Sequence, residues 1–411
     1  MGRRKKQTVN ILMVHPHDLF DSSEPWTIRI KNIAREFIRN GHKVKLCYFP
    51  LAMHEKKAQT EPLVELITLD RTPSPYSFIV NTLVLTRLCR WADVVHFQKC
   101  HHYAAVPAVV AAYLSAKPLH YDWDDWEEKI WYESCGRGLH SRFIGRSFQI
   151  LERWLPVLAD SVSCASSHLK DLTRQYGVKD EYIFDSPVGA DLQRFKPGLY
   201  GGWVREKYDI RGPLVLYVGQ LHGAQYVDLF LRAANIVGHE FPAVTFMVAG
   251  EGFLEGTLKR LAADLGIGNK VIFTGAVPHQ EIPSYIAAAS ICVAPFRDTQ
   301  VTRCKSPLKI VEYLASGKPV VASNVGEVRK MVGGVGILVK PGEQHPLAEG
   351  ILKLLKHETL REKISRLSRQ RIENKYTWER TAASILSAYN KITKTANRQP
   401  LTENPRDEEK F

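Results

Sequence analysis

Short apolar runs alternate with longer amphipathic segments along most of the chain, and the alternation occurs in two halves. In the first half the apolar runs are residues 10–14, 43–48, 93–97, 117–121, 159–164 and 182–185. In the second half they are residues 214–218, 244–249, 271–274, 291–294 and 320–322. Runs of this length between helical segments are typical of buried parallel strands. The pattern predicts an α/β chain with two doubly wound parallel-sheet domains.

Helical periodicity between these runs gives the expected domain organisation. Residues 26–40 repeat apolar side chains at helical spacing and are followed by Gly41, which ends the helix. Residues 104–115 and 378–392 have similar patterns. The expected units are a basic tail (1–9), a first domain (10–195), a linker (196–212), a second domain (213–375), a last helix (376–394) and a disordered tail (395–411).

One helix of the second half has a start that is suited to phosphate. Ser306 is expected at its N-cap and Pro307 at its first helical position. The free N–H groups of such a helix start attract anions, and Lys305 and Lys309 add positive charge there. Glu312 lies one turn further along, where a carboxylate accepts hydrogen bonds from hydroxyls. These features favour a nucleotide-sugar; a capped helix of any α/β domain is the alternative.

The same segment resembles the donor-site helix of family 4 glycosyltransferases of the GT-B fold. It has the subgroup form Ser-Pro-x-Lys-x-x-Glu-Tyr-x-x-x-Gly-x-Pro-Val-Val. The Gly-His pair before the second strand is similar to that family's opening, and Pro187 to Pro197 is similar to its interdomain linker. The resemblance covers about residues 10–392. It implies two Rossmann-like domains facing a cleft, with the last helix crossing back onto the first domain.

The resemblance also implies that the second domain holds the nucleotide-sugar. Glu312 would accept the ribose hydroxyls, while backbone N–H groups and the Lys309 ammonium would hold the diphosphate. The residues expected at this donor site are Gly219, Gly250, Gly252, Ala276, Val277, Arg303, Lys305, Ser306, Pro307, Leu308, Lys309 and Glu312.

The chain departs from the family form at three positions that usually carry charge. Cys304 stands eight residues before Glu312, where the family has its first glutamate. Gln220 and Gln225 stand where members usually have a phosphate-binding arginine and lysine. A departing diphosphate develops negative charge, which preorganised cations stabilise. The nearby candidates for that role are Arg297, Arg303, Lys305 and Lys309.

An acidic and aromatic run, residues 120–128, follows a strand of the first domain and is expected on the acceptor side. Aromatic faces pack on sugar rings, and carboxylates accept hydrogen bonds from hydroxyls. We expect Asp125 to contact the acceptor or the reacting sugar. His120 is a second catalytic candidate, with a packed histidine as the alternative. The acceptor-binding residues expected are Asp122, Trp123, Asp124, Trp126, Ser22 and Ser23.

Other interpretations of this run stay open. The acids could cap a helix N-terminus while Trp126 lies in the core. Asp122-x-Asp124 could hold a metal ion, although the resemblance implies a metal-independent enzyme. Arg29, at the start of the first long helix, is expected either to face the cleft or to be solvated.

The composition and net charge favour some classes of binding partner over others. The 411 residues carry a net charge of +13 without a nucleic-acid-binding motif, which favours phosphorylated substrates or an acidic lipid surface over nucleic acid. No apolar run has the length of a membrane span or the form of a signal-peptide core. Seven scattered cysteines without a C-x-x-C pair fit reduced thiols. We therefore expect a cytoplasmic protein; its basic tail is either solvated or held weakly at the inner face of the plasma membrane.

The function expected from the resemblance is transfer of a sugar, with retention of configuration, from an NDP-sugar to a saccharide or lipid-linked acceptor. The setting would be cell-surface polysaccharide or glycolipid assembly, with no cofactor besides the nucleotide-sugar as co-substrate. The missing charges leave two alternatives on the same fold. One is a non-catalytic nucleotide-sugar-binding scaffold, and the other is a sugar-nucleotide epimerase or a phosphorylase.

Overall fold

The computed structural model describes residues 8–21, 24–51, 64–134 and 138–396. Most of the two predicted tails lies outside these ranges. The strands are β1 (Asn10–His15), β2 (Lys43–Tyr48), β3 (Glu65–Thr68), β4 (Val94–Gln98), β5 (Leu119–Trp123), β6 (Ser161–Cys164), β7 (Ile183–Asp185), β8 (Leu214–Val218), β9 (Thr245–Ala249), β10 (Val271–Phe273), β11 (Ile291–Ala294), β12 (Val320–Ser323) and β13 (Ile337–Val339).

Helices occupy most of the chain between the strands. They are α1 (Pro25–Arg39), α2 (Pro75–Cys89), α3 (His102–Leu114), α4 (Glu127–Ser134), α5 (Leu139–Leu158), α6 (Ser167–Gln175), α7 (Gly202–Lys207), α8 (Val227–Glu240), α9 (Glu255–Asp264), α10 (Ile282–Ala288), α11 (Gln300–Cys304), α12 (Leu308–Ala315), α13 (Gly326–Val332), α14 (Gln344–Lys356), α15 (Glu358–Lys375) and α16 (Trp378–Ala396).

The described strands form two parallel sheets, one in each half of the chain. The first has the order β3-β2-β1-β4-β5-β6-β7 and the second has the order β10-β9-β8-β11-β12-β13. In each sheet the strand order reverses beside the first strand of its domain, β1 or β8. Ligands of open α/β sheets bind outside the carboxyl ends of the strands at such a reversal. The predicted fold class is therefore confirmed.

The last helix, α16, joins the two halves. It packs against α1, β6 and β7 of the first domain, although it follows the second domain in sequence. The Tyr389 hydroxyl lies 2.7 Å from Nδ1 of His96 on β4, and both side chains are fully buried. Tyr389 also belongs to a core that contains residues of both domains, such as Ile30 and Ile310. This packing limits how far the domains can separate without disrupting the core.

The predicted elements differ from the observed ones at four places. The strand expected over residues 117–121 is β5, which begins at Leu119 because Pro118 has no N–H for the ladder. The strands β3 and β13 were not predicted. The prediction that Ser306 caps the donor helix is wrong. Its hydroxyl accepts the N–H of Val188 at 3.2 Å, and α12 begins at Leu308 without a side-chain cap.

Candidate active site

The ammonium group of Lys309 lies at the carboxyl end of β8. Its Nζ donates to the Tyr217 hydroxyl at 2.9 Å and to Oε1 of Gln225 at 3.0 Å. A Cβ at Gly219 would lie 2.6 Å from this Nζ, so glycine leaves the space that the ammonium occupies. Burial, followed by the charge of Lys305, lowers the pKa of Lys309 well below its usual value. The hydrogen-bond partners of Lys309 are neutral, and an anion placed beside it would stabilise its charge.

Glu312, one turn further along α12, is oriented by a histidine that the sequence did not single out. Its Oε1 lies 2.9 Å from Nε2 of His279, in the loop after β10, and the Glu312 side chain is buried. Arg194 of the linker holds the same loop, because its guanidinium donates to the His279 carbonyl oxygen at 2.8 Å. No spacing pattern marks His279 in the sequence. The predicted Ala276 and Val277 belong to this loop, and Ala276 is exposed.

The glycines of the loop after β9 have a packing reason. A Cβ at Gly250 would lie 2.1 Å from the carbonyl oxygen of Gly219, and a Cβ at Gly252 would lie 2.4 Å from that of Leu221. Both have positive φ, 146° and 156°, a conformation that favours glycine. They let the loops after β8 and β9 pack backbone to backbone. Their contact with a ligand stays a prediction.

The four cations proposed to replace the missing family charges separate into two groups. Arg303 is paired with Asp298 on the surface, its Nε 2.6 Å from Oδ1. Arg297 is paired with Asp228 at 2.7 Å. Lys305, in contrast, is partly buried between the domains.

The environment of Lys305 connects it to the acceptor side. Burial lowers the pKa of Lys305, while the charges of Asp125 and Glu133 from the first domain act in the opposite direction. Burial, followed by the charges of Lys305 and Lys309, lowers the pKa of His222 to about 4. These two lysines are therefore the cations that the structure brings to the cleft.

The start of α12 could bind a phosphate through backbone N–H groups rather than through side chains. The Ser306 hydroxyl is occupied by Val188, Pro307 has no N–H, and the Leu308 side chain is buried. The N–H groups of Leu308 and Lys309 belong to the first helical turn, whose donors have no partner within the helix. A phosphate contact by this segment would use these two N–H groups.

On the acceptor side, a buried lysine organises three carboxylates. The Nζ atom of Lys99 lies 3.3 Å from Asp124, 3.3 Å from Asp125 and 2.5 Å from Glu127. Lys99 has a left-handed φ of 66°, directly after the last residue of β4. Burial alone would lower the pKa of Lys99, but the three carboxylates raise it well above its usual value. Asp125 has the most exposed side chain of the four, at 31%, and its contact with a substrate stays a prediction.

Asp124 is the buried member of this cluster. Oδ2 of Asp124 accepts from Nε2 of Gln98 at 2.9 Å. Burial raises the pKa of Asp124 to about 7, and the charge of Asp125 adds to this effect while Lys99 opposes it. Burial therefore favours the neutral form of Asp124, next to the partly exposed Asp125.

Two predicted site residues have a structural role instead. Asp122 is fully buried and accepts hydrogen bonds from Nε of Arg29 at 2.8 Å and from Nη2 of Arg29 at 2.7 Å. The guanidinium also donates to Ser186 at 2.7 Å and is buried, so Arg29 is not solvated, and its Nη1 has no hydrogen-bond partner among the described residues. His120 is also fully buried, with Nδ1 2.8 Å from the Ser161 hydroxyl and Nε2 3.0 Å from that of Ser163. This placement does not support substrate contact by Asp122 or His120.

The tryptophans of the run also lie in the core. Trp123 is fully buried and Trp126 is 7% exposed, so neither offers a face to a sugar ring. Glu152 of α5 accepts the N–H groups of Glu127 and Glu128 at 2.7 and 3.0 Å. A buried glutamate of another helix, rather than the acids of the run, therefore caps α4. Ser22 and Ser23 lie outside the described residues.

The two domains touch directly across the cleft. Nε2 of Gln220 donates to Oε1 of Glu24 at 3.1 Å, and the Tyr226 hydroxyl donates to Oε2 of Glu133 at 3.1 Å. Gln220, at one of the positions where the family usually has a cation, thus contacts the opposite domain. Cys304, at the position of the missing glutamate, is buried and packs with the core of the first domain. Gln220 and Cys304 therefore contact the first domain, whereas the hydrogen bonds of Gln225 are to second-domain residues such as Lys309.

Two further observations on the described residues concern metal binding and membrane spans. Among these residues, no group of three or more His, Cys, Asp or Glu side chains is arranged to hold a metal ion. None of their helices is long and apolar enough to cross a membrane.

Comparison with known proteins agrees with this architecture. Residues 27–194 match the model of Glycosyltransferase Family 4, and residues 212–357 match the model of Glycosyl transferases group 1. An alpha-D-kanosaminyltransferase from Streptomyces kanamyceticus is 28% identical over 192 residues, which are 46% of this chain and 48% of that protein. The chain spans about half the length of the curated relatives it matches.

Solved structures are similar over a larger part of the chain. Sucrose-phosphate synthase from Thermosynechococcus elongatus has a TM-score of 0.75 at 16% identity and covers 95% of this chain and 100% of its own. Anabaena HepE in complex with UDP and glucose has a TM-score of 0.73 at 19% identity, with coverages of 93% and 100%. The first half of the chain is therefore similar to a Glycosyltransferase Family 4 domain and the second half to a Glycosyl transferases group 1 domain, and the two are arranged in the GT-B fold.

Proposed function

We propose that this protein transfers a sugar from a nucleoside diphosphate sugar to a hydroxyl acceptor, with retention of the anomeric configuration. The observation that carries the proposal is the position of Lys305 and Lys309. Both lie beside the start of α12, and the charge of Asp125 acts on Lys305 from the opposite domain. Cations on one side of a cleft and a partly exposed carboxylate on the other suit a diphosphate and a hydroxylated acceptor.

The chemistry that these residues would support is a single displacement in which the acceptor attacks the anomeric carbon on the same face from which the diphosphate leaves, so that the configuration is retained. The bond between the anomeric carbon and the phosphate oxygen breaks, and a bond from that carbon to the acceptor oxygen forms. The acceptor proton passes to the departing phosphate oxygen, so no protein nucleophile is needed. Lys305 and Lys309 stabilise the charge that develops on the diphosphate. Glu312, held by His279 at 2.9 Å, accepts the ribose hydroxyls, and Asp125 orients the acceptor or the sugar.

The comparisons support the substrate class. Relatives include a kanosaminyltransferase and D-inositol 3-phosphate glycosyltransferases, and HepE was solved with UDP and glucose. We propose a saccharide or lipid-linked acceptor, and a setting in cell-surface polysaccharide or glycolipid assembly at the cytoplasmic face of the membrane. We also propose that the reaction needs no resident cofactor and no metal ion.

A donor panel tests the proposal. The purified protein is incubated with UDP-, GDP- and ADP-sugars, with and without lipid extract, and release of the nucleoside diphosphate is measured. We expect release from one donor class, unchanged by a metal chelator, and a product whose anomeric configuration by NMR is that of the donor. Arg260→Met replaces an exposed arginine of α9 and serves as the control, while Lys305→Met is expected to lower turnover by about a hundredfold or more.

Three outcomes would contradict parts of this proposal. Nucleotide binding without turnover across a broad acceptor set would indicate a scaffold, which the neutral Gln220 and Gln225 would then explain. Release of a nucleotide-sugar inverted at C2 would indicate an epimerase. A product of opposite anomeric configuration would refute retention while leaving the transfer itself intact.

A further inference from the structure

The outer face of α5 is apolar and basic and carries no acidic side chain. Its exposed apolar residues recur at helical spacing and are Leu139, Phe143, Ile150, Trp154, Val157 and Leu158. Arg142, Arg146 and Arg153 lie between them and are also exposed. The only acid of this helix is Glu152, which is buried and caps α4. A solvated helix face of this length would normally be polar.

The neighbouring helices extend this surface. In the same layer α3 packs between α2 and α5, and the Tyr113 hydroxyl donates to the Leu158 carbonyl oxygen at 2.9 Å. Neither α2 nor α3 contains an acidic residue. Their exposed large apolar side chains are Tyr76, Phe78, Ile79, Leu83, Tyr113 and Leu114. We call the exposed surface of α2, α3 and α5 the docking face.

Most of the exposed large apolar side chains of the described residues lie on the docking face. Apart from Tyr132 of α4, next to the docking face, the described chain exposes only three other large apolar side chains. These are Tyr200, Phe253 and Leu367, which lie in the second half of the chain. A contiguous apolar patch on a protein marks a surface that contacts another molecule or a membrane.

We propose that the docking face binds the surface of an anionic phospholipid bilayer. The combination of Trp, Phe and Leu with arginines on one helix is what interfacial helices use. The apolar side chains enter the boundary between headgroups and acyl chains, and the arginines contact lipid phosphates. None of the three helices exposes an acidic side chain, since Glu152 is buried, so an anionic surface meets no carboxylate of these helices. None of this requires a spanning segment.

The docking face lies next to the candidate acceptor site. Asp125 is two residues before α4, and α4 is tied to the start of α5 because Nε1 of Trp131 donates to the Ser141 carbonyl oxygen at 2.8 Å. A bilayer bound to α5 would therefore lie on the acceptor side of the first domain. This deepens the proposed function, since it would present a lipid-linked acceptor, but membrane binding itself does not depend on sugar transfer.

The test is binding to vesicles without any sugar donor, so the outcome is independent of catalysis. Vesicles of phosphatidylcholine alone are compared with an equimolar mixture of phosphatidylcholine and phosphatidylglycerol, by sedimentation. We expect binding to the mixture that weakens as salt is added. Replacing Arg142, Arg146 and Arg153 by Gln should lower the partition coefficient by about fivefold for each arginine, equivalent to about 1 kcal/mol per cation.

Variants that replace exposed apolar side chains test insertion into the bilayer separately from the effect of charge. Phe143→Ser combined with Trp154→Ser should lower the partition coefficient by about tenfold or more, because both side chains are mainly exposed in the protein and lose their contact with lipid. Phe253→Ser, at an equally exposed site of the second domain, is the matched control and should leave binding unchanged. Bromine-labelled lipid should quench the fluorescence of Trp154, seen as the difference from Trp154→Phe.

The proposal fails if neither vesicle binds the protein, or if the Phe253 variant loses binding as strongly as the Phe143 and Trp154 variant. It also fails if the protein is a dimer in solution that Phe143→Ser converts to a monomer, because a second copy would then cover the docking face. Melting temperatures of all variants, which are expected to stay close to that of the parent, show that they remain folded.

Discussion

Replacing Asp122 by Asn tests whether this carboxylate supports the fold rather than the acceptor. The structure places it 2.8 and 2.7 Å from two nitrogens of Arg29, and the two side chains are 0% and 1% exposed. Asn removes the charge but keeps the shape, and the guanidinium is then buried without a counter-charge. Breaking such a buried pair on one side costs about 3–5 kcal/mol. We expect a loss of this size in the free energy of unfolding.

The assay is urea unfolding followed by tryptophan fluorescence and circular dichroism. Asp209→Asn is the matched control, because Asp209 pairs with Arg211 at 3.0 Å on the exposed surface, where ion pairs contribute little. The double variant Arg29→Met with Asp122→Leu should be more stable than Asp122→Asn, since it leaves no buried charge. A loss below about 1 kcal/mol for Asp122→Asn would refute the structural role.

The pH dependence of the same variant gives an independent check. Although burial opposes it, Arg29 holds the pKa of Asp122 well below its usual range. A carboxylate with a lowered pKa in the folded state stabilises the protein above the pKa of the unfolded chain, about 4. That contribution is lost as the pH falls toward the folded pKa. The stability difference between the parent and Asp122→Asn should therefore be full at neutral pH and shrink in acid.

Three further predictions concern the site. Gly219→Ala would place a Cβ 2.6 Å from the Lys309 ammonium and should weaken nucleotide binding about tenfold, as measured by isothermal titration calorimetry. Gly266→Ala is the control, because Gly266 also has a positive φ but has open space around it, and it should leave the nucleotide Kd unchanged. His279→Ala should raise KM for the donor more than it lowers kcat, with recovery in His279→Gln, and equal effects on both constants would argue against an orienting role. Because burial raises the pKa of Asp124 to about 7, its ionisation destabilises the folded state as the pH rises toward that value. Asp124→Asn should therefore gain melting temperature relative to the parent between pH 5 and pH 8, and a constant difference would contradict the raised pKa.

Local pattern was sufficient to predict the fold class because most strands are buried apolar runs. β3 and β13 were missed for a physical reason. They are short edge strands of four and three residues, and most of their side chains are only partly buried. Such strands lack a continuous apolar run to identify them.

The relative position of Lys309 and Glu312 was easier to predict than the contacts of the run 120–128, and the reason lies in sequence separation. Lys309 and Glu312 are on one helix, so their proximity follows from helical spacing. Asp122 is instead neutralised by Arg29, 93 residues earlier in the sequence, and Asp125 is paired with Lys99. A run of acids shows where carboxylates are, but partners from other strands decide which of them are neutralised. His279 was missed because only the fold brings its loop to Glu312.

Equilibrium binding shows whether a nucleoside diphosphate is held at the start of α12. The nucleoside diphosphate released in the donor panel is titrated into the parent, Glu312→Ala and Lys309→Met by calorimetry, with Arg260→Met as the surface control. Loss of a charged hydrogen-bonding group costs about 1.5–3 kcal/mol, so Kd should rise by about tenfold to a hundredfold in each of the first two variants. An unchanged Kd in correctly folded Glu312→Ala and Lys309→Met would contradict the placement of the donor site.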